Sequence, residues 1–127
     1  MRTIIWFQSS GKNYKPSAVG FEFAKQHDSG ALKTCGKGAG LPYDYGYSEV
    51  EVSDDWACGE RLSELIRIIE PLLPKIRESG ADSLAICVFS FGSGSSRIDI
   101  SAEQIVRLAS LRCDFICTYS PDDHAAS

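Results

Sequence analysis

The stretch from Tyr43 to Asp55 holds the side chains of this chain that have most to offer another molecule. Tyr43, Tyr45 and Tyr47 alternate, Asp44 stands between the first two, and Glu49, Glu51, Asp54 and Asp55 follow. Four carboxylates within residues 49–55 repel one another and cost folding energy unless solvent or a cation relieves them. The chemistry on offer is recognition: carboxylates pair with lysine or arginine, and tyrosines bury large area at low rotamer cost. A solvated strand edge carrying a core ladder of tyrosines is the plainer alternative, and residue types alone leave both open.

Catalytic chemistry has less to draw on. A nucleophile needs a base within hydrogen-bond reach and a group to hold transition-state charge. The two histidines, His27 and His124, lie outside any nucleophile motif, and Gly92 to Ser96 lacks the following helix of a nucleophile elbow. Gly36 to Gly40 has the spacing of neither a P-loop nor a dinucleotide fingerprint. The segment from Phe91 to Arg97 has the residues of an anion-binding nest, although a hairpin loop explains its glycines more simply. Cys35, Cys58, Cys87, Cys113 and Cys117 are odd in number and include no CxxC pair, so they read as reduced thiols. Asp122, Asp123 and His124 have ligand chemistry but no partner cluster. No catalytic residue, cofactor or metal is therefore expected, and the chain is not expected to be an enzyme.

The elements that position these residues can be read from patterning. At 127 residues with 43% hydrophobic and 24% charged, residues 1–127 are expected to form one domain. Thr3 to Phe7 reads as a buried strand. Pro16 and Ser17 look like a helix entry, with Val19 and Phe23 on one face and an end near Gln26 or His27. Tyr47 to Val52 alternates as a strand, putting Tyr47, Glu49 and Glu51 on the face opposite Ser48, Val50 and Val52. Leu62, Leu65, Ile66, Ile69, Leu72, Leu73 and Ile76 form one helical stripe, interrupted near Glu70 by Pro71 and Pro74 and closed by Gly80. Ser83 to Phe91 is too hydrophobic along its centre to have a wet face and reads as a central strand, with Arg97 to Ile100 returning. Ser101 and Gln104 have the types of a capping box for a third helix. Asp114 to Tyr119 is the last strand, and residues 120–127 are expected to fray. The expected fold is α+β: a mixed or antiparallel central sheet of about five to six strands with three helices packed mainly on one face.

Charge is unevenly spread. Residues 1–43 carry six basic groups against two acids, net +4, whereas residues 44–127 carry seven against fifteen, net −8. A negative pole disfavours direct nucleic-acid binding and favours a cationic partner. The longest apolar runs are strand-sized, so no membrane span is expected, and the N-terminus has no secretory pattern, which points to the cytoplasm.

The C-terminal half, Ile98-Asp99-Ile100-Ser101-Ala102-Glu103 with its helix to Leu111 and the strand Asp114 to Tyr119, resembles the close of a bacterial family of small domains of unknown function. Trp56 ahead of an aliphatic helix, Leu72-Leu73-Pro74-Lys75 and the strand from Leu84 are similar to the middle of that family, and Pro16 to its first helix. Such domains are thought to include immunity proteins of contact-dependent and polymorphic toxin systems. The resemblance implies a toxin-neutralising protein, a monomer in a 1:1 complex with a cognate toxin domain. A basic nuclease cleaving tRNA or DNA fits best, and Asp44, Tyr45, Tyr47, Glu49, Glu51, Asp54 and Asp55 are the expected contact residues. One rival is a small-molecule or peptide sensor with Cys58, Arg97 and the glycine loops around a pocket. Another is an enzyme acting on a phosphorylated substrate through Arg97 and His27.

Overall fold

A computed structural model describes residues 2–53, 58–92 and 98–121. Five strands form one mixed sheet: β1 (Arg2–Gly11), β2 (Lys25–His27), β3 (Gly46–Glu51), β4 (Ser83–Phe91) and β5 (Asp114–Ser120), in the order β2-β3-β1-β4-β5. β1 runs antiparallel to β3 and β4, β2 antiparallel to β3, and β5 parallel to β4. Among the described residues the helices are α1 (Cys58–Ile69), α2 (Leu73–Glu78) and α3 (Ala102–Leu111). The protein is therefore α+β, with a five-stranded mixed sheet.

Each helix forms where its sequence requires. The apolar stripe of α1 and α2 is buried at Leu62, Leu65, Ile66, Ile69, Leu73 and Ile76. The two prolines break the regular ladder there, and Glu70–Leu72 tightens into a 3₁₀ turn between α1 and α2. α3 opens with the full capping box. Ser101 Oγ accepts from the Gln104 amide at 3.1 Å, and Gln104 Oε1 accepts from the Ser101 amide at 3.0 Å. Gln104 also donates to the Gly59 carbonyl and to Ser63 Oγ, which ties α3 to α1. Its far end closes on Arg112 in the left-handed conformation, φ 57°.

The core lies on one side of the sheet. Ile5 and Phe7 of β1, Val50 of β3 and Leu84, Ile86 and Val88 of β4 pack against the stripe of α1 and α2 and against Leu108 and Leu111 of α3. Because directly opposed residues share a face, the registers Ile5↔Val88, Phe7↔Ile86 and Phe7↔Val50 confirm that this is a single face.

At one end of this core a buried polar knot joins three elements. The Tyr14 hydroxyl lies 2.8 Å from Ser48 Oγ, which lies 2.6 Å from Ser9 Oγ, and all three residues are at most 1% exposed. The Tyr14 backbone needs close neighbours to bring its ring there. A Cβ on Gly46 would fall 1.8 Å from the Tyr14 carbonyl oxygen, and one on Gly80 would fall 2.6 Å from that of Asn13.

Two expectations from patterning are corrected. The helix expected from Pro16 to His27 is a 3₁₀ turn at Pro16–Ala18 followed by irregular chain and strand β2. Gly20 takes φ 78°, and Asp28 captures both the amide and the hydroxyl of Ser17, so Ser17 serves a loop rather than a helix. Val19 and Phe23 are buried as expected, although Val19 closes the 3₁₀ turn and Phe23 lies in the irregular chain that leads to β2. The returning strand expected at 97–100 is absent over 98–100, where Ile98 and Ile100 rest against the core without pairing. Arg97, the turn at 93–96 and the tail from Asp122 lie outside the described residues.

Gly46→Ala is expected to lower stability by about 3 kcal/mol, since the added carbon meets backbone that cannot swing away. Gly59→Ala, with open space at its Cβ, should raise it by about 0.5–1 kcal/mol through helix propensity. Urea unfolding of the two variants checks both signs.

Candidate functional site: the uncovered face of the sheet

Helices cover one face of the sheet, and the other holds a second set of apolar side chains. Registers place Trp6 opposite Cys87 and Ile4 opposite Phe89, with Ile116 opposite Cys87 and Arg2 opposite Phe91. None of these residues belongs to the contiguous core, and among the described residues no helix packs over them. β4 is thus apolar on both faces although helices cover only one. Cys87 and Phe91 are nevertheless buried, by neighbours within their own layer: Cys87 sits between the larger Trp6 and Ile116, and Phe91 lies 5.5 Å from Phe89 with the Arg2 guanidinium over its ring.

β3 adds a polar border to this surface. Alternation turns Tyr47, Glu49 and Glu51 to the uncovered side, as the sequence pattern predicts. Trp6 Nε1 donates to Gln8 Oε1 at 3.0 Å, and the Tyr47 hydroxyl donates to Glu49 Oε1 at 2.8 Å with Gln8 Oε1 3.3 Å away. Glu49 Oε2 is buried and lies 3.6 Å from the Lys25 ammonium on β2. Burial, the hydrogen bond to Glu49 and its charge push the Tyr47 hydroxyl well above its ordinary value. Burial, with Glu49 nearby, likewise pushes the Cys87 thiol up. Both are held neutral.

Pairing of β2 with β3 brings His27 into the tyrosine segment. Its imidazole stacks on Tyr43 at 3.6 Å and 8°, meets Tyr45 edge-on at 5.2 Å, and has Tyr47 6.0 Å away on register. The Lys33 ammonium lies 5.6 Å over the Tyr43 ring. This cluster forms the end wall of the uncovered face. His27 is therefore a strand residue inside an aromatic stack and not the end of a helix, as patterning suggests.

The expected contact residues divide accordingly. Tyr45 is 48% exposed, Asp44 and Glu51 are exposed, and Tyr47 is half-buried on the uncovered face. Glu49 is held by Tyr47 and Lys25, with its side chain 12% exposed, so its charge is already answered within the chain. Asp54 and Asp55 lie outside the described residues, as does the side chain of Cys58. The sequence reading missed Trp6 and Phe89 as surface components; the signal was the absence of alternation in β4, which in a sheet covered on one side leaves hydrophobic residues without a layer above them.

Other concavities offer less. An open groove of about 680 Å³ between α1 and α3 is lined by Glu60, Glu64, Arg67 and Arg107, of which Glu64 pairs with Arg67, while Arg107 pairs with Glu70 beside the groove. No described helix is long and apolar enough to cross a membrane. No family model matches the chain, and neither a curated protein nor a solved structure matches it significantly.

Burial pulls the His27 imidazole below its ordinary value of 6.5. As pH falls below 6.5 the unfolded chain takes up a proton before the folded one does. The stability held by neutral His27 is therefore fully present above 6.5 and is lost between 6.5 and the lower folded value. Unfolding measured on either side of pH 6.5 should show this loss in the native protein and a smaller one in His27→Gln; identical pH dependence would contradict it.

Proposed function

We propose that this chain is a stoichiometric binding protein that docks a basic protein partner on the uncovered face of its sheet. The reading is that of a toxin-neutralising immunity protein. The observation that carries it is the apolar row of Ile4, Trp6, Phe89 and Ile116 lying on a face that no described helix covers. Apolar area of this kind marks an interaction surface. The tyrosine cluster at its end wall supplies rigid aromatic anchors, and exposed Asp44 and Glu51 supply the charge that attracts lysine or arginine.

The expected acidic patch is refined by this geometry. Consecutive same-face residues of a strand stand about 7 Å apart, so the carboxylates are strung along β3 rather than gathered at one point. Glu49 organises the surface, and Glu51 and Asp44 meet the partner. The tie to toxin neutralisation comes from the resemblance of the C-terminal half. A basic nuclease suits the charge, since blocking its phosphate-binding groove requires acidic and aromatic groups on one surface. Binding needs no catalytic group, and none is assigned to this chain.

The test uses the partner that co-purifies with the tagged chain from its source cells. Asp44→Lys with Glu51→Lys should slow association by about tenfold at low salt and by less at high salt. Trp6→Ala should weaken affinity by about 2 kcal/mol, mainly through faster dissociation. An unchanged association rate would discard the electrostatic part, and unchanged affinity for Trp6→Ala would discard the face itself.

A further inference from the structure

We propose that two copies of this chain pair through the outer edge of β5, joining their sheets into one of ten strands with α3 of each copy meeting across the two-fold axis. The inference stands apart from the docking reading. It leaves one partner per chain and puts two chains in the assembly.

Three observations carry it. First, β5 is an edge strand of seven residues, and no described strand pairs with its outer side. Soluble proteins blunt such an edge with lysine, an internal proline, a bulge or brevity. The other edge, β2, is blunted in this way, with three residues that include Lys25. The sequence of β5, Asp-Phe-Ile-Cys-Thr-Tyr-Ser, carries none of these devices.

Second, exposed hydrophobic side chains gather at the same edge. Seven large ones are exposed among the described residues. Four of them are Ile116 at 44% and Tyr119 at 53% on β5, and Ile105 at 55% and Val106 at 67% on α3. α3 is the crossover from β4 to β5, whereas α1 packs over β1 and β3. Gln104 reaches Gly59 and Ser63 of α1, and Arg107 reaches Glu70 in the 3₁₀ turn that follows it. At about 100° per residue, Ile105 falls on the flank of α3 turned away from α1. Ala109, also exposed, is one turn further along that flank. The helix that leads into this edge strand thus presents an apolar flank with a small residue on its side away from α1. Strand pairing alone is a narrow contact, and this flank widens it toward the roughly 1,000 Å² that a specific interface needs.

Third, β5 is complementary to itself when reversed. An antiparallel pair centred on Cys117 sets Phe115 against Tyr119 and Ile116 against Thr118 of the second copy. Asp114 then faces Ser120, so no like charges are opposed. The two-fold axis of such a pair is perpendicular to the sheet, which turns the uncovered faces of both copies to the same side.

Pairing about Cys117 also supplies its own probe. Directly opposed residues in an antiparallel pair have Cα atoms about 4.5–5.5 Å apart, within the range a disulfide spans. Cys117 is exposed, as is Cys35, which is replaced by serine as a control. Light scattering of the full-length chain should give twice the chain mass. Diamide should convert Cys35→Ser to a covalent dimer whose linked peptides contain Cys117, and should leave Cys35→Ser with Cys117→Ser uncoupled. Ile105→Glu with Val106→Glu, at exposed positions the fold tolerates, should return a monomer with an unchanged circular dichroism spectrum. A monomer at every concentration overturns the proposal. So does a dimer that survives the α3 substitutions or that diamide fails to couple through Cys117.

Discussion

A sheet has two faces, and the described helices of this chain cover one. That constraint organises the molecule. The stripe from Leu62 to Ile76 and the pair Leu108 and Leu111 meet Ile5, Phe7, Ile86 and Val88, and the helix layer is used up in doing so. Trp6, Phe89 and Ile116 stand on the other side, where among the described residues they are shielded by neighbours in their own layer. Burial by lateral neighbours hides Cys87 and Phe91 and leaves Trp6, Phe89 and Ile116 partly in contact with solvent, where their apolar area is available to a partner.

Which side chains reach that surface depends on register. A slip of one residue in β3 would exchange Tyr47 and Glu49 for Ser48 and Val50 and reverse the character of both faces. The knot of Tyr14, Ser9 and Ser48 guards against this, because the Ser48 hydroxyl has partners under the helices in one register alone. Buried hydroxyls left without partners would each cost about 1–3 kcal/mol. Gly46, at the start of β3, admits the Tyr14 backbone and so connects loop, knot and strand. The polar interior thereby determines how the exterior is arranged.

Patterns that repeat within an element were legible in the sequence. The alternation of Tyr47 to Glu51 assigned each side chain to its correct face, the stripe and two prolines located the break between α1 and α2, and Ser101 with Gln104 marked the start of α3. What escaped depends on contacts between distant segments. Val19 and Phe23 have the spacing of a helix face, yet the chain makes one 3₁₀ turn, Gly20 takes a positive φ and Asp28 holds the Ser17 amide. The stack of His27 on Tyr43 needs β2 to pair with β3, so no local pattern announces it. The internal pairing of Glu49 with Lys25 is hidden for the same reason: residues 24 positions apart in sequence are directly opposed in the sheet. Counting carboxylates overstated the free charge of β3, and reading β4 as simply central understated what an apolar strand means when one of its faces has no described helix above it.

The uncovered sheet face as the surface that meets a partner is the centre of this account. Hydroxyl-radical footprinting of the full-length chain, alone and bound to the protein that co-purifies with it, tests that claim most directly. The account predicts that labelling of Trp6, Tyr47 and Phe89 falls on binding while that of the outer surface of α1 is unchanged. Protection confined to α1 and α3, with Trp6 and Phe89 labelled as in the free chain, would contradict it.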